Sequence, residues 1–317
     1  VILAASWDGE QLSPSAREVV AAAVRLGGTL GCDVAFASLT GPGAAAEAGS
    51  HGATRAFAFE GDVAASGVES ALAALAELAR ELDARVVLLS ADERTAELAP
   101  RLAGRLGGTG VLNATGLEVR EGRIVLTRPV FGGKAVAELA AVAEPVVVTV
   151  RRGVVEAAEP RGEAASVTTR PLPTLASPVE LLGREAPSEG ASLEDAKVIV
   201  AGGAGLGDGA AFGELEELAR LLGGAVGASL AAVDAGWAPP DRQVGLTGKS
   251  VAPDVYLALG ISGASQHLAG IGDAKAVVAV NTDPEAPIFT RARLGAVADC
   301  RAFVAALTDE LRRRRST

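Results

Sequence analysis

Short apolar runs alternate with longer stretches of helical periodicity along most of the chain, a pattern that predicts parallel sheets joined by helical crossovers. Val1–Ala5 reads as a strand, and Ser13-Pro14 supplies an N-cap with a proline at the first helical position. The helix that follows should run to about Leu26, with Gly27-Gly28 stopping it. Asp33–Leu39 is the next strand. From Gly67 to Leu82, Leu72, Leu75, Leu78 and Leu82 share one helical face. Arg85–Ser90 reads as a buried strand, and Thr95–Leu106 as a helix interrupted early by Pro100. Between Gly110 and Val150 the pattern becomes strand-like. Leu117–Arg120 and Arg123–Thr127 flank a hairpin turn at Glu121-Gly122, and the β-branched run Pro145–Val150 is expected at the centre of its sheet. A last strand of this part is placed near Ala165–Thr169.

The second half repeats the pattern. Lys197–Ala201 is an apolar strand, followed by the glycine-rich turn Gly202–Gly207 and a helix over Phe212–Leu222. Strands follow at Ala225–Ala228, Val255–Leu259, Ala276–Val280 and Gly295–Ala298, with helices at Gly263–Gly270 and from there after the last strand to about Arg313. The fold class is therefore α/β, with two domains, each a mostly parallel sheet flanked by helices. We place the domains at 1–190 and 191–317, with a linker at about 153–190 where Pro, Glu, Ser and Gly accumulate. Sheets of this kind bind ligands beyond the carboxyl ends of their strands. The glycine-rich and polar turns of the second domain should gather at that edge.

Composition narrows the functions. The 317 residues suffice for two domains, and much of the 49% hydrophobic content is alanine, with only 3% aromatic residues. Small side chains suit helices packed closely on sheets. A formal net charge of −10 argues against a nucleic-acid partner. The one basic cluster, Arg312–Arg315, reads as a solvated helix end favoured by the helix dipole. Two cysteines and two histidines show no zinc-ligand spacing, and a reducing, cytoplasmic setting fits them. No apolar run approaches the roughly 18–20 residues of a membrane span. The chain begins at Val1 and holds no methionine, so its natural start is left open.

Several turns carry candidate chemistry. Gly203-x-Gly205-x-Gly207 lacks dinucleotide-fingerprint spacing, so it is either a generic strand–helix turn or a place where backbone approaches an anion. In Leu259-Gly260-Ile261-Ser262-Gly263-Ala264-Ser265-Gln266-His267 a strand gives way to a helix, and Ser262 with the first free amides could hold a pyrophosphate without a lysine. His267 is either a core histidine or a ligand contact. Gln243-Val244-Gly245-Leu246-Thr247-Gly248-Lys249 only superficially matches a phosphate loop, since the required spacing fails. Asn281 and Asp299 close two successive strands, where an amide and a carboxylate serve either turn chemistry or recognition of a ribose or an adenine edge. No nucleophile, base and orienting acid can be assembled into a catalytic set.

Read in order, Gly227-Ala228-Ser229, Ala231–Gly236, Gln243–Lys249, Gly260–Ala264, Gln266–Gly270 and Asp283–Phe289 resemble the alpha subunit of electron-transfer flavoprotein, the FixB-like family, over about 120 residues. Arg128–Ala135 resembles, more loosely, a stretch of that family's N-terminal domain. The resemblance implies a Rossmann-like second domain holding one FAD, and a first domain that assembles with a beta subunit into a heterodimer. The expected function is an electron carrier between donor dehydrogenases and a downstream acceptor, rather than a substrate-transforming enzyme. Carried over by position, Ser229, Gln243, Val244, Gly245, Leu246, Thr247, Ser262, Gly263, Ala264, Ser265, Gln266 and His267 are the cofactor-binding residues. Asn281 and Asp299 are placed at the adenosine end. The matching histidine of the family sits near the flavin O2, where it stabilises the reduced ring.

Three positions depart from the family. Arginine is usual where this chain has Ala204 and Leu230, and glutamine where it has Leu246. An arginine over the flavin ring would favour its negatively charged reduced form. A unit charge about 4 Å away at an effective dielectric near 20 is worth roughly 4 kcal/mol. At about 59 mV per tenfold change this is on the order of 170 mV for one electron, as an upper bound. Two hypotheses follow. In one, FAD binds and works at lower potential. In the other, the chain is a nucleotide-binding or assembly subunit that has lost ordinary flavin redox activity.

Overall fold

The computed structural model describes all residues except 9, 62, 132, 134, 158, 161, 176–181, 184–191, 273 and 316–317. The expected boundary between residues 190 and 191 and much of the expected linker lie outside the described residues. The chain forms two compact units, one of residues 1–130 and 134–184, the other of 131–133 and 185–317.

The first unit runs β1 (Ile2–Ser6), α1 (Pro14–Leu30), β2 (Val34–Ser38), α2 (Pro42–Ser50), β3 (Arg55–Glu60), α3 (Val63–Glu81), β4 (Val86–Ser90), α4 (Glu93–Leu106), β5 (Thr109–Ala114), β6 (Gly116–Arg120), β7 (Arg123–Val130), β8 (Ala135–Ala140), β9 (Val146–Val150) and β10 (Val167–Pro171). Seven strands form one parallel sheet in the order β10-β3-β2-β1-β4-β9-β5, and β6-β7-β8 form a separate antiparallel ribbon. Leu3 of β1 sits opposite Ala35 on one side and Val87 on the other. The central strands are buried along their whole length, so they read as continuous apolar runs rather than alternations.

Three local expectations change. α1 does not stop at Gly27 but continues to Leu30 and ends at Gly31, which takes the left-handed conformation at φ 63°. Gly27 lies inside the helix, at a place where a Cβ would come 2.8 Å from the Cys32 carbonyl oxygen, so the glycine serves packing and not termination. Pro100 does not interrupt α4, which runs through it from a capping box. In that box Thr95 N donates to Asp92 Oδ1 at 2.8 Å and Asp92 N donates to Thr95 Oγ1 at 2.9 Å. β9 is fully buried but lies one strand in from the edge, because β5 pairs outside it; β1 is the central strand.

The second unit runs β11 (Val198–Gly202), α5 (Ala211–Leu222), β12 (Ala225–Ala228), α6 (Leu230–Asp234), β13 (Val255–Leu259), α7 (Ser265–Gly270), β14 (Val277–Asn281), β15 (Leu294–Val297) and α8 (Cys300–Arg315). Its five strands are all parallel, in the order β12-β11-β13-β14-β15. On one face of the sheet, Phe212, Leu215 and Leu218 of α5 pack with Cys300 and Val304 of α8. On the other, Val244, Val251, Ile261 and Ile271 cover Tyr256 and Ala258 of β13. Parallel strands bring every following loop to one edge. The order reverses between β11 and β13, so the loops after these two strands flank the switch point, where such sheets hold their ligands.

Those two loops touch backbone to backbone. Gly203 N donates to the Leu259 carbonyl at 2.9 Å, and Gly205 N to the Gly260 carbonyl at 3.0 Å. Gly203 and Gly205 therefore serve loop-to-loop contact, within the strand–helix turn that was one of the two expectations for them.

This contact makes a prediction. In Gly205→Ala the new Cβ would lie 2.8 Å from Gly260 Cα, which should cost about 1–3 kcal/mol of stability. Gly213→Ala, in α5 with nothing within 4 Å, should instead gain about 0.5–1 kcal/mol. Urea midpoints of the two variants against the parent chain measure the difference.

Candidate functional site

A line of backbone hydrogen bonds runs along the carboxyl edge of the five-stranded sheet. Gly260 N donates to Val280, Gly205 N to Gly260, Ser229 N to Gly202 and Val244 N to Ala228, all at 2.9–3.0 Å. The turns after β11, β12, β13 and β14 and the 243–249 loop are thereby held side by side.

The 243–249 loop is closed on itself. Lys249 N donates to Gln243 O at 2.8 Å, Gly245 N to Lys249 O at 3.1 Å, and the buried Gln243 side chain donates from Nε2 to Thr247 Oγ1 at 3.0 Å. It also abuts α7: Leu246 N donates to Gln266 O at 2.8 Å, and a Cβ on Gly270 would lie 2.5 Å from Gly245 Cα. The structure thus brings Gln243, Val244, Gly245, Leu246 and Thr247 together with Gln266 and His267.

The loop after β13 presents Ser262, Ala264 and Ser265 at the surface, around a buried Gly263. Gly263 has φ 85°, and a Cβ there would collide with the Ile288 amide. Ile288 N in turn donates to Ser262 O at 3.0 Å. Only glycine meets both demands, the left-handed backbone and the close approach. At the start of α7 the amides of His267 and Leu268 bond Ala264 O at 2.9 and 3.0 Å. The first two amides, of Ser265 and Gln266, have no acceptor within the helix.

His267 is only 6% exposed. Its Nε2 lies 3.0 Å from the hydroxyl of Tyr256, while Nδ1 is buried and has no hydrogen-bond partner among the described residues. Burial pushes its pKa down to about 4, with the Val244 backbone acting weakly in the opposite sense. The imidazole is therefore neutral at pH 7. Burial also raises the pKa of the Tyr256 phenol.

Three other expected residues have structural tasks at the same edge. Ser229 caps α6, its Oγ accepting from Ala232 N at 3.4 Å. Asn281 donates from Nδ2 to Ile261 O at 2.9 Å and accepts from Asp283 N at 3.0 Å, tying the end of β14 to the loop after β13. Asp299, after the edge strand β15, accepts from Ala302 N at 2.9 Å in the first turn of α8. The three positions that depart from the family pattern lie on the surface of these loops, with Leu230 47% and Leu246 60% exposed and Ala204 also exposed.

Sequence reasoning passed over Tyr256. It is the chain's one tyrosine and sits in a strand eleven residues before His267. A single polar aromatic in an otherwise aliphatic strand was the available signal, since a buried hydroxyl requires a partner.

The arrangement suits a large anionic ligand with a polar planar head. It offers helix-start amides with no acceptor within the helix, surface hydroxyls at Ser262 and Ser265, and a buried imidazole nitrogen without a hydrogen-bond partner among the described residues. An FAD fits that set: amides and hydroxyls for a pyrophosphate, and a neutral ring nitrogen for a flavin carbonyl or nitrogen.

Comparison with known proteins agrees. Residues 192–272 match the electron transfer flavoprotein FAD-binding domain, and residues 1–175 match the electron transfer flavoprotein domain. The electron transfer flavoprotein subunit alpha of Mycobacterium leprae is 41% identical over 273 residues, 83% of this chain and 83% of the relative. That of Syntrophomonas wolfei is 38% identical over 272 residues, covering 85% and 86%. That of Thermoanaerobacterium thermosaccharolyticum is 39% identical over 253 residues, covering 76% and 74%. Asn281 and Asp299 fall beyond the stretch matched to the FAD-binding domain.

The buried histidine predicts a pH dependence. Its folded pKa of about 4 lies below the value of about 6.5 expected when unfolded. Between these values the unfolded chain binds more protons, so stability is fully present above pH about 6.5 and falls as the pH drops through about 4. The loss attributable to His267 is on the order of 3 kcal/mol. Urea unfolding across that range should show the slope, and His267→Gln should remove most of it.

Proposed function

We propose that this chain, which belongs to the electron transfer flavoprotein family as an alpha subunit, carries electrons on an FAD held at the carboxyl edge of its five-stranded sheet. It is read as a carrier, not as an enzyme that transforms a substrate. The observation that carries the site assignment is the convergence, within the stretch matched to the FAD-binding domain, of free helix-start amides and the partnerless Nδ1 of His267.

When bound, FAD supplies the redox chemistry, accepting electrons and releasing them. The protein's share is binding and electrostatics. The amides of Ser265 and Gln266, with the hydroxyls of Ser262 and Ser265, would hold the pyrophosphate. Gly263 and Ala264 would lie along it, on a turn held by the approach of Ile288 to Gly263. The 243–249 loop, fixed by the Gln243–Thr247 hydrogen bond, would border the ribityl chain and the ring, with Ser229 nearby. His267 would present its free nitrogen to the ring. Asn281 and Asp299 would border the adenosine end, each with part of its hydrogen-bonding capacity already used within the protein. Leu230 and Leu246, exposed on the same loops, would give the ring an apolar border where relatives of this pattern carry polar groups.

The partner implied by the family is a beta subunit, which the first unit would help to seat. Dehydrogenases would act as donors, with a further carrier as acceptor. No helix among the described residues is long and apolar enough to cross a membrane. A cytoplasmic location is part of the same reading.

Two results test it. Co-expressed with its beta subunit, the chain should purify yellow with stoichiometric FAD that reduces and reoxidises reversibly; a colourless heterodimer that fails to take up added FAD would overturn the reading. Leu230→Arg, which restores a positive charge on the α6 turn, should raise the flavin potential, by up to the roughly 170 mV set by a unit charge at about 4 Å. Potentiometric titration of parent and variant measures the shift.

A further inference from the structure

We propose that Tyr256 is a positioning residue that holds His267 in one neutral tautomer, protonated at Nδ1, so that the free nitrogen is a hydrogen-bond donor and not an acceptor. Tyr256 lies on β13 and is wholly buried; His267 lies on the covered face of α7. Their rings meet edge to face, with centroids 6.0 Å apart and planes inclined at 61°, and the hydroxyl is 3.0 Å from Nε2.

The tautomer follows from counting protons. A phenol has one hydrogen to give, and His267 Nε2 is the one partner of the Tyr256 hydroxyl among the described residues. If Nε2 carried the imidazole proton, it would donate to the phenol oxygen. The phenol hydrogen would then be buried without an acceptor, an arrangement that costs about 1–3 kcal/mol. If the phenol donates to Nε2 instead, that contact is satisfied and the imidazole proton sits on Nδ1, so the two tautomers differ in which buried hydrogen, the phenol's or that of Nδ1, has an acceptor at hand. The surroundings of Nδ1 agree. The Val244 backbone favours a proton on the ring, as a carbonyl does and an amide would not, and with Nε2 facing the phenol hydroxyl that proton is the one on Nδ1. The phenol itself, made harder to ionise by burial, keeps its hydrogen.

A fixed donor and a ring free to exchange tautomers differ in what they can hold. A donor at Nδ1 stabilises electron density that builds up on a facing oxygen or nitrogen. A ring that can swap tautomers would meet that change with a lone pair part of the time. The consequence for the flavin rests on the reading that the second unit holds FAD; the tautomer does not.

The test separates the two. The chain has two histidines, so nitrogen NMR of the isotope-labelled full chain, with His51→Gln to assign the signals, reads His267 directly. Near pH 7 the parent should show a protonated Nδ1 and a bare Nε2, and Tyr256→Phe should show an average of both tautomers. A parent protonated at Nε2 would overturn the proposal without reference to the variant, as would an unchanged Nδ1 signature in a folded Tyr256→Phe chain. In the FAD-loaded heterodimer, Tyr256→Phe should lower the flavin potential while FAD content stays that of the parent. If the tautomer is as stated and neither Tyr256→Phe nor His267→Gln moves the potential, Tyr256 keeps its role and His267 is removed from the flavin site.

Discussion

The closeness of the two loops at the switch point governs the second unit. Gly203 and Gly205 on one loop and Gly260 on the other meet with no side chain between them, and Gly260 itself takes φ 64°. From that contact the backbone bonds extend sideways, through Val280 toward β14 and through Gly202 to Ser229. Parallel strands alone would place the loops at one edge. The glycine contact sets how near they come, and the amides of Gly203 and Gly205 are spent on it.

His267 is kept uncharged by burial, and Tyr256 faces it from beneath. Charged side chains lie at this edge too, Lys249 in the 243–249 loop and Asp299 after β15, while Arg301 bridges Asp208 at 3.0 Å and Glu214 at 2.8 Å, and Lys275 pairs with Asp254 at 2.8 Å. These are exposed pairs that contribute little stability each. With Leu230 and Leu246 exposed on these loops, an FAD held there as proposed would meet apolar side chains at both positions. On that reading its potential would be set lower than an arginine at residue 230 would set it.

The alternation of strand and helix was legible in the sequence, and in the second unit the predicted strands lie within a residue or two of those observed. The hairpin at Glu121-Gly122 was legible too, because both residues take positive φ, at 51° and 74°. What escaped depends on contacts between distant segments. Gly27 looks like a helix stop until the Cys32 carbonyl is seen against it. α2 has no apolar stripe to detect, because its buried face is made of Ala44, Ala45 and Ala48. Within the site, the order of Ser262, Gly263 and His267 along the chain showed that they belong to one turn. It could not show that His267 is bound from the far side by a tyrosine, nor that Asn281 uses both ends of its amide on the backbone.

The convergence of so many loops on one edge has a thermodynamic side. Segments from Ser229 to Asp299 become neighbours only when the sheet is complete, so a ligand that binds them together binds the folded state and not the unfolded chain. Its binding energy is then also folding energy: at a thousandfold excess over its dissociation constant it adds about 4 kcal/mol. For a domain with a marginal reserve of about 5–15 kcal/mol, this is a large share. Cofactor supply would therefore govern the lifetime of the second unit in the cell as well as its chemistry, because an empty chain would spend more time open to proteases.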